Sequence, residues 1–515
     1  MMLIDICNIS VHFLYFFLRP IFALIFLRKR PKIPPIKNQL LLNSATTLAK
    51  KIKSGELSSQ TIVEAYIERI KEVNPFINAV VDDRFVEAVN DAKICDAKLK
   101  SGEVTAIMLE NEKPLFGIPF TVKESCSVAG LSLTGGYRKK KGMKALKDGA
   151  LVQMLKRAGA IPLCVTNTSV LCLTLHSDNP IYGLSRNPYD TRRTAGGSSG
   201  GEGALLGAGA SILGIGSDLM GSIRIPSLYN GVFGHKPTPG IIPNKGHMPD
   251  YSQISMFVQG PLARYAEDLI LAVKVMSVDC DIPLHLDKPL DVKNLRIFYV
   301  ENIESFCGIR STTSDVRQSI RKALRYLSGN GARVEHISQD WVRNSATFLW
   351  SSFQDRELLK SLRDINYEEP RNAIFNYIKS MFGCGSESYL VSVSQMIIAH
   401  RGFLPLSKNA QYNVMKEKMR QNINNQLGSD GVFIYPTFPQ PAPYHTAMNF
   451  VTDAINYATF VNVMDMPSTH VPMGLNNKGL PIGFQVMAGR NQDRLCLGVA
   501  RELEKAFGGW VRPTS

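Results

Sequence analysis

The chain has 515 residues, 44% hydrophobic and 20% charged, with 40 Gly and 28 Pro spread along it instead of pooled in a linker; this excludes a disordered or collagen-like chain and fits one large α/β body as well as two or three ordinary domains. The net charge of +15 is not backed by a long basic stripe with interleaved aromatics, so no nucleic-acid partner is expected. Nine cysteines without C-x-x-C spacing and nine histidines without H-E-x-x-H spacing give no disulfide framework or metal site, and no metal or other cofactor is expected.

The first predicted element is a membrane device. Leu3 to Leu27 is rich in Leu, Ile and Phe and, if helical, reaches across a hydrocarbon core of about 30 Å. The basic cluster Arg28, Lys29, Arg30 and Lys32 follows the apolar run, the wrong order for a cleavable signal peptide. Arg19-Pro20 interrupts the run, so a single span competes with a monotopic hairpin in one leaflet. The competing interpretation is a buried helix of the body. The cluster after the run favours a cytoplasmic body on an intracellular membrane. We therefore divide the chain into an anchor (1–30), a basic, Pro-rich linker (31–43) and one catalytic domain (44–515).

Within the body, Ile62, Tyr66, Ile70 and Val73 recur at helical spacing from Ser59 to Asn74, where Pro75 is expected to stop the helix. Phe76 to Val81 reads as a strand, and Phe85, Val89, Ala92 and Leu99 mark a second helix. Further strands are expected at Ile118–Val122, Ile161–Val165, Ile212–Ile215, Arg296–Val300, Val432–Tyr435 and Ile482–Met487. Their alternation with helices argues for an α/β fold around a central sheet. Residues 310–430 read as a mostly helical cover, as in Val316 to Leu327, without a chemical motif.

The densest signal is Ala195-Gly-Gly-Ser-Ser-Gly-Gly-Glu202, followed by Gly216-Ser-Asp-Leu-Met-Gly-Ser222-Ile-Arg-Ile-Pro226. A phosphate cradle fits poorly, because neither G-x-x-x-x-G-K-[ST] nor G-x-G-x-x-G is present. Gly196 to Gly200 satisfies G-x-S-x-G, but so Gly- and Ser-rich a run matches that pattern cheaply. The third interpretation adds Lys123 at the end of Gly117-Ile-Pro-Phe-Thr-Val-Lys. A serine hydroxyl needs a base to become a nucleophile, and a lysine serves as one only when neutral; the end of an apolar strand disfavours the ammonium form. Without the serine motifs, Lys123 would read as a surface lysine ending a strand.

Taken in order, these three motifs resemble the amidase signature family, and the resemblance continues through Phe233-Gly-His-Lys-Pro-Thr-Pro239 and Gly479-Leu-Pro-Ile-Gly-Phe-Gln485. It is nearest to the fatty-acid amide hydrolase type. It implies a three-layer sandwich: a large mixed central sheet covered by helices on both faces, here behind an N-terminal membrane segment. It implies Ser222 as nucleophile, Ser198 as relay and Lys123 as base, with a cis peptide at Gly197–Ser198. Backbone N–H groups of Leu219, Met220, Gly221 and Ser222 would hold the oxyanion, while Gly197, Ser199, Asp218 and Arg224 support the loops. The implied reaction is hydrolysis of a lipophilic, fatty-acid amide through an acyl-enzyme, and the resemblance admits a homodimer. One departure stands out: Met220 replaces the first glycine of the family's Gly-Gly-Ser. It strains the loop if φ is positive there, and it is the one hint of a catalytically weak, lipid-binding relative. Other rivals are an amidase or esterase of another substrate class and an amidotransferase subunit, which has no need of the apolar leader.

Overall fold

The structure is a computed structural model and describes residues 32–252, 254–303, 311–352, 375, 406–450 and 455–513. Its strands are β1 (Val80–Asp83), β2 (Pro119–Lys123), β3 (Ile161–Thr166), β4 (Asp178–Asn179), β5 (Gly183–Leu184), β6 (Leu213–Asp218), β7 (Phe233–Lys236), β8 (Val258–Ala263), β9 (Arg296–Tyr299), β10 (Arg333–His336), β11 (Gly431–Tyr435), β12 (Ser468–Leu475) and β13 (Pro481–Ala488). Eleven of them form one sheet in the order β1-β3-β2-β6-β8-β7-β12-β13-β11-β9-β10, and β4 pairs with β5 as a separate ribbon. The sheet is mixed. Strands β3, β2 and β6 run parallel, as do β11, β9 and β10, while β8, β7, β12 and β13 are joined through antiparallel pairs.

Side chains on a strand alternate between its faces, and here the alternation separates two apolar cores. Ile297, Val432, Ile434, Val486 and Ala488 enter one core, and their neighbours Phe298, Phe433, Tyr435 and Met487 enter the other. The first core is closed by helices Ala45–Lys53, Ser59–Ile77, Ala150–Arg157, Ala266–Met276, Ser314–Gly329 and Asp493–Phe507. The second is closed by Arg224–Asn230, Ser345–Ser352, Asn409–Leu427 and Ile455–Val463. This is the expected three-layer arrangement. It leaves most of the sheet buried on both sides, where truncating a Leu, Ile or Phe to Ala costs about 2–5 kcal/mol.

Local chemistry sets the element ends. The Ser44 and Ser58 side chains cap their helices by accepting the N–H of Thr47 and Thr61, each worth about 1 kcal/mol. Pro75 does not stop its helix, which runs to Ile77. Asn78, in the left-handed region at φ 48°, donates its N–H to the Asn74 carbonyl at 2.8 Å, and Asn74 Oδ1 accepts from Ala79 and Val80. Phe76 is therefore helical, and the strand expected from Phe76 to Val81 begins only at Val80. In the 310–430 region, helices occupy Ser314–Gly329, Asp340–Arg343, Ser345–Ser352 and Asn409–Leu427, but Arg333–His336 adds the edge strand β10. The apolar leader, 1–30, lies outside the described residues. Among the described residues no helix is long and apolar enough to cross a membrane.

Candidate active site

Strand β2 ends at Lys123, which is fully buried, and delivers its amine to the floor of the site. Lys123 Nζ lies 2.6 Å from Ser198 Oγ and 2.9 Å from Ser217 Oγ, hydrogen-bonded to both. Ser198 sits on the loop before helix Gly200–Gly207, and its peptide with Gly197 is cis. Thr168 and Ser177 hydroxyls donate to the Ser198 carbonyl at 3.0 and 3.1 Å. A Cβ on Gly197 would stand 2.5 Å from the His176 nitrogen and 2.8 Å from the Thr174 carbonyl, so only glycine lets the relay loop approach this closely.

Ser222 comes from the turn between β6 and helix Arg224–Asn230. It is 4% exposed, and its hydroxyl has no hydrogen-bond partner among the described residues. Its carbonyl accepts the Ser199 N–H at 3.2 Å, tying the two serine loops together. Gly221 carries the strained backbone of this turn, with φ at 102° and Ala458 Cβ only 2.6 Å from where its own Cβ would be. Met220 is not in the left-handed region, so the strain considered for it in the sequence does not arise. It joins the apolar cluster of Cys172, Leu219, Ile225, Tyr457 and Ala458.

Asp218 holds the turn. Its Oδ1 accepts the Gly221 N–H at 2.8 Å and its Oδ2 the Ile223 N–H at 3.1 Å. The Gly221 N–H, expected to face an oxyanion, is thus already committed to Asp218, whereas those of Leu219, Met220 and Ser222 have no partner among the described residues. Arg224 donates twice to Asp218 at 3.0 Å, and also to Gln485 and Asn462 at 2.6 Å. Burial alone would push the Asp218 carboxyl up; the Arg224 charge and hydrogen bonds, helped by Asn462, outweigh this and hold it down at about 2. The ion pair is fully buried, which is tolerable because both partners have their remaining hydrogen bonds made.

Two further buried groups bear on the choice of base. Glu202 is pushed up to about 8 by burial, against the hydrogen bonds from Thr121 and Thr166. Burial lowers Lys236 to about 8, opposed by the Asp218 charge, but its Nζ donates to the Pro237 carbonyl and meets no serine. Lys123, by contrast, is buried with its amine on the hydroxyls of Ser198 and Ser217. No group of His, Cys, Asp and Glu suited to a metal occurs among the described residues.

Of the residues singled out in the sequence, the structure brings Lys123 and Ser198 into direct contact, joins Ser199 to the Ser222 carbonyl, and places Asp218, Leu219, Met220, Gly221 and Arg224 on the turn that carries Ser222, with Gly197 beside Ser198 on the other loop. The sequence reading missed Ser217, Thr168, Ser177, Asn462 and His247 as participants. Ser217 stood inside the nucleophile motif and Gln485 closed the last one, but nothing local marks Asn462 or His247, whose partners lie 244 and 30 residues away along the chain.

The sequence profile described as Amidase matches residues 61–497. Fatty-acid amide hydrolase 2-B of Danio rerio is 39% identical over 504 residues, covering 94% of this chain and 93% of that protein. Fatty-acid amide hydrolase 2 of Homo sapiens is 37% identical over 498 residues, with 95% and 93% covered. Among solved structures, one described as fatty acid amide hydrolase superposes with a TM-score of 0.74 at 22% identity, covering 91% of this chain and 86% of that one, which shows a shared fold. The chain belongs to the amidase signature family and is an amide hydrolase.

Proposed function

We propose that this enzyme hydrolyses lipophilic, fatty-acid amides through an acyl-enzyme on Ser222. The observation that carries the mechanism is the 2.6 Å contact between Lys123 Nζ and Ser198 Oγ, made in full burial on a loop whose next residue, Ser199, donates its N–H to the Ser222 carbonyl. The neutral Lys123 amine takes the Ser198 proton, Ser198 takes that of Ser222, and Ser222 Oγ attacks the amide carbonyl carbon. The N–H groups of Leu219, Met220 and Ser222, free of internal partners, receive the oxyanion; one such donor is commonly worth about 3 kcal/mol in the transition state. The proton returns through Ser198 to the departing nitrogen, and the C–N bond breaks. Water then repeats the relay on the ester, releasing the acid and restoring Ser222.

Two features support a lipophilic acyl group. Leu219 and Met220 belong to the apolar cluster around the nucleophile turn, and the sequence opens with the apolar run Leu3 to Leu27. The names of the similar proteins point the same way. We read the leader as a membrane attachment, spanning or monotopic, that brings the site to a substrate dissolved in lipid.

Labelling with a fluorophosphonate tests the chemistry. The wild-type chain should take up the probe, and Ser222→Ala should abolish labelling while the protein melts normally. Undiminished labelling of Ser222→Ala would place the nucleophile elsewhere. Turnover of oleamide against acetamide tests the substrate class, and a preference for acetamide would remove the lipophilic reading.

A further inference from the structure

The Ser217 hydroxyl has a neighbour that the relay does not use. His247, on the segment between β7 and β8, is buried with its ring centroid 4.7 Å from that of Phe257 and 5.8 Å from that of Tyr251. Its Nδ1 lies 2.7 Å from the Pro249 carbonyl oxygen. A carbonyl only accepts, so this contact assigns the proton of the neutral ring to Nδ1 and leaves Nε2 an acceptor. The hydroxyls of Ser217 and Ser125 each lie 3.0 Å from Nε2, while Cys172 Sγ stands off at 3.9 Å.

We propose that His247 is a positioning residue that sets the direction of the proton relay, by holding the Ser217 hydroxyl hydrogen so that Ser217 can only accept from Lys123. The inference rests on Lys123 being the base. A neutral amine has two N–H donors and one lone pair, and two serine oxygens lie within reach of Nζ, Ser217 at 2.9 Å and Ser198 at 2.6 Å. If Ser217 turned its hydrogen toward Lys123, it would occupy the lone pair. Ser198 would then receive an N–H instead of giving up its proton, and the relay would stop. With the Ser217 hydrogen drawn to His247 Nε2, the Ser217 oxygen takes one N–H of Lys123 and the lone pair faces Ser198. No proton is transferred at His247; its part is to hold one hydroxyl in a single orientation, as outer partners of catalytic groups do.

The test is steady-state kinetics of the full chain on decanoyl p-nitroanilide, comparing the wild type with His247→Phe, His247→Gln, Ser217→Ala, the double variant His247→Phe/Ser217→Ala and Lys123→Ala. Phe keeps the ring between Tyr251 and Phe257 but offers no acceptor, so kcat should fall by about tenfold or more with KM and the thermal melt little changed. The Gln amide can present its oxygen to Ser217 and its N–H to Pro249, so it should restore most of kcat. In the Ser217→Ala background, His247→Phe should cause no further loss, because it acts through Ser217. Wild-type kcat in His247→Phe, a Gln variant as slow as Phe, or losses that multiply in the double variant would each overturn the inference. So would a loss explained wholly by a smaller fraction of fluorophosphonate-reactive enzyme, which marks a merely structural histidine. Lys123→Ala separates the two ideas. If it retains turnover, the base assignment itself fails; if it is inactive while His247→Phe is normal, only the role of His247 falls.

Discussion

Glu202 illustrates how a single buried carboxyl couples the site to pH. In the fold its carboxyl is pushed up by burial to about 8, from an ordinary value of 4.5. Between those pH values the folded protein holds a proton that the unfolded chain has lost, so this group's contribution to stability falls as pH rises through the window. Glu202→Gln removes the titration, and its melting temperature relative to wild type should therefore climb from pH 4.5 to pH 8. A difference that stays flat over the same range would mean that Glu202 is ionised in the fold. Met220 is a second residue-scale case. Its backbone is not left-handed, so glycine there relieves no strain and should not accelerate the reaction by that route. Removing its side chain from the cluster with Leu219 and Ile225 opens space beside Ser222 instead. Met220→Gly should broaden the acyl groups accepted and cost about 1–3 kcal/mol in stability, seen by comparing kcat/KM for a short and a bulky acyl amide beside a melt. Unchanged selectivity would take Met220 out of the acyl site.

The turn from Asp218 to Arg224 is the element whose integrity matters most to the chemistry. Asp218 holds two of its N–H groups, and Arg224 fixes Asp218 from helix Arg224–Asn230, braced by Asn462 and by Gln485 on β13. Arg224→Met leaves a buried carboxylate without its partner, a loss of about 3–5 kcal/mol. The depressed Asp218 carboxyl contributes stability above its ordinary value of 3.8, lost as pH falls through about 2. Without Arg224, burial prevails and the carboxyl moves up, so the acid limb of stability should shift toward neutral pH; melts from pH 3.8 upward check this, and an unshifted limb would contradict it. Elements of this kind were legible in the sequence to different degrees. Strands β2, β3, β6, β9, β11 and β13 were placed because short apolar runs fill a sheet buried on both faces. Strands β7, β8 and β12 were missed, since Gly260-Pro261 and Ser468-Thr-His-Val-Pro472 contain residues that ordinarily interrupt strands. Their polar side chains are paired only by tertiary contacts, as Thr437 is with His470. Motif residues of the site were legible because they lie in contiguous loops. Asn462 and His247 were not, because chain folding alone brings them to Asp218 and Ser217.

For the whole molecule, the sheet brings together three segments distant in sequence: Lys123 from β2 meets Ser198 before helix Gly200–Gly207, and the turn after β6 that carries Ser222 accepts the Ser199 N–H. Every motif on which the chemistry rests lies at or beyond Gly117, so the apolar leader should be separable from catalysis. Deleting residues 1–30 should move the protein toward the soluble fraction and leave turnover of a detergent-dispersed amide intact. Loss of folding in that variant would assign the leader to the core. The central claim is that the acyl group passes through Ser222, with Lys123 and Ser198 moving the proton. The most direct measurement is mass spectrometry of the intact enzyme quenched during turnover of a fatty-acid amide, followed by peptide mapping. We expect the acyl adduct on the peptide containing Ser222, and its absence from Ser222→Ala and Lys123→Ala. An adduct on Ser198 or Ser199, or an undiminished adduct in Lys123→Ala, would contradict the account.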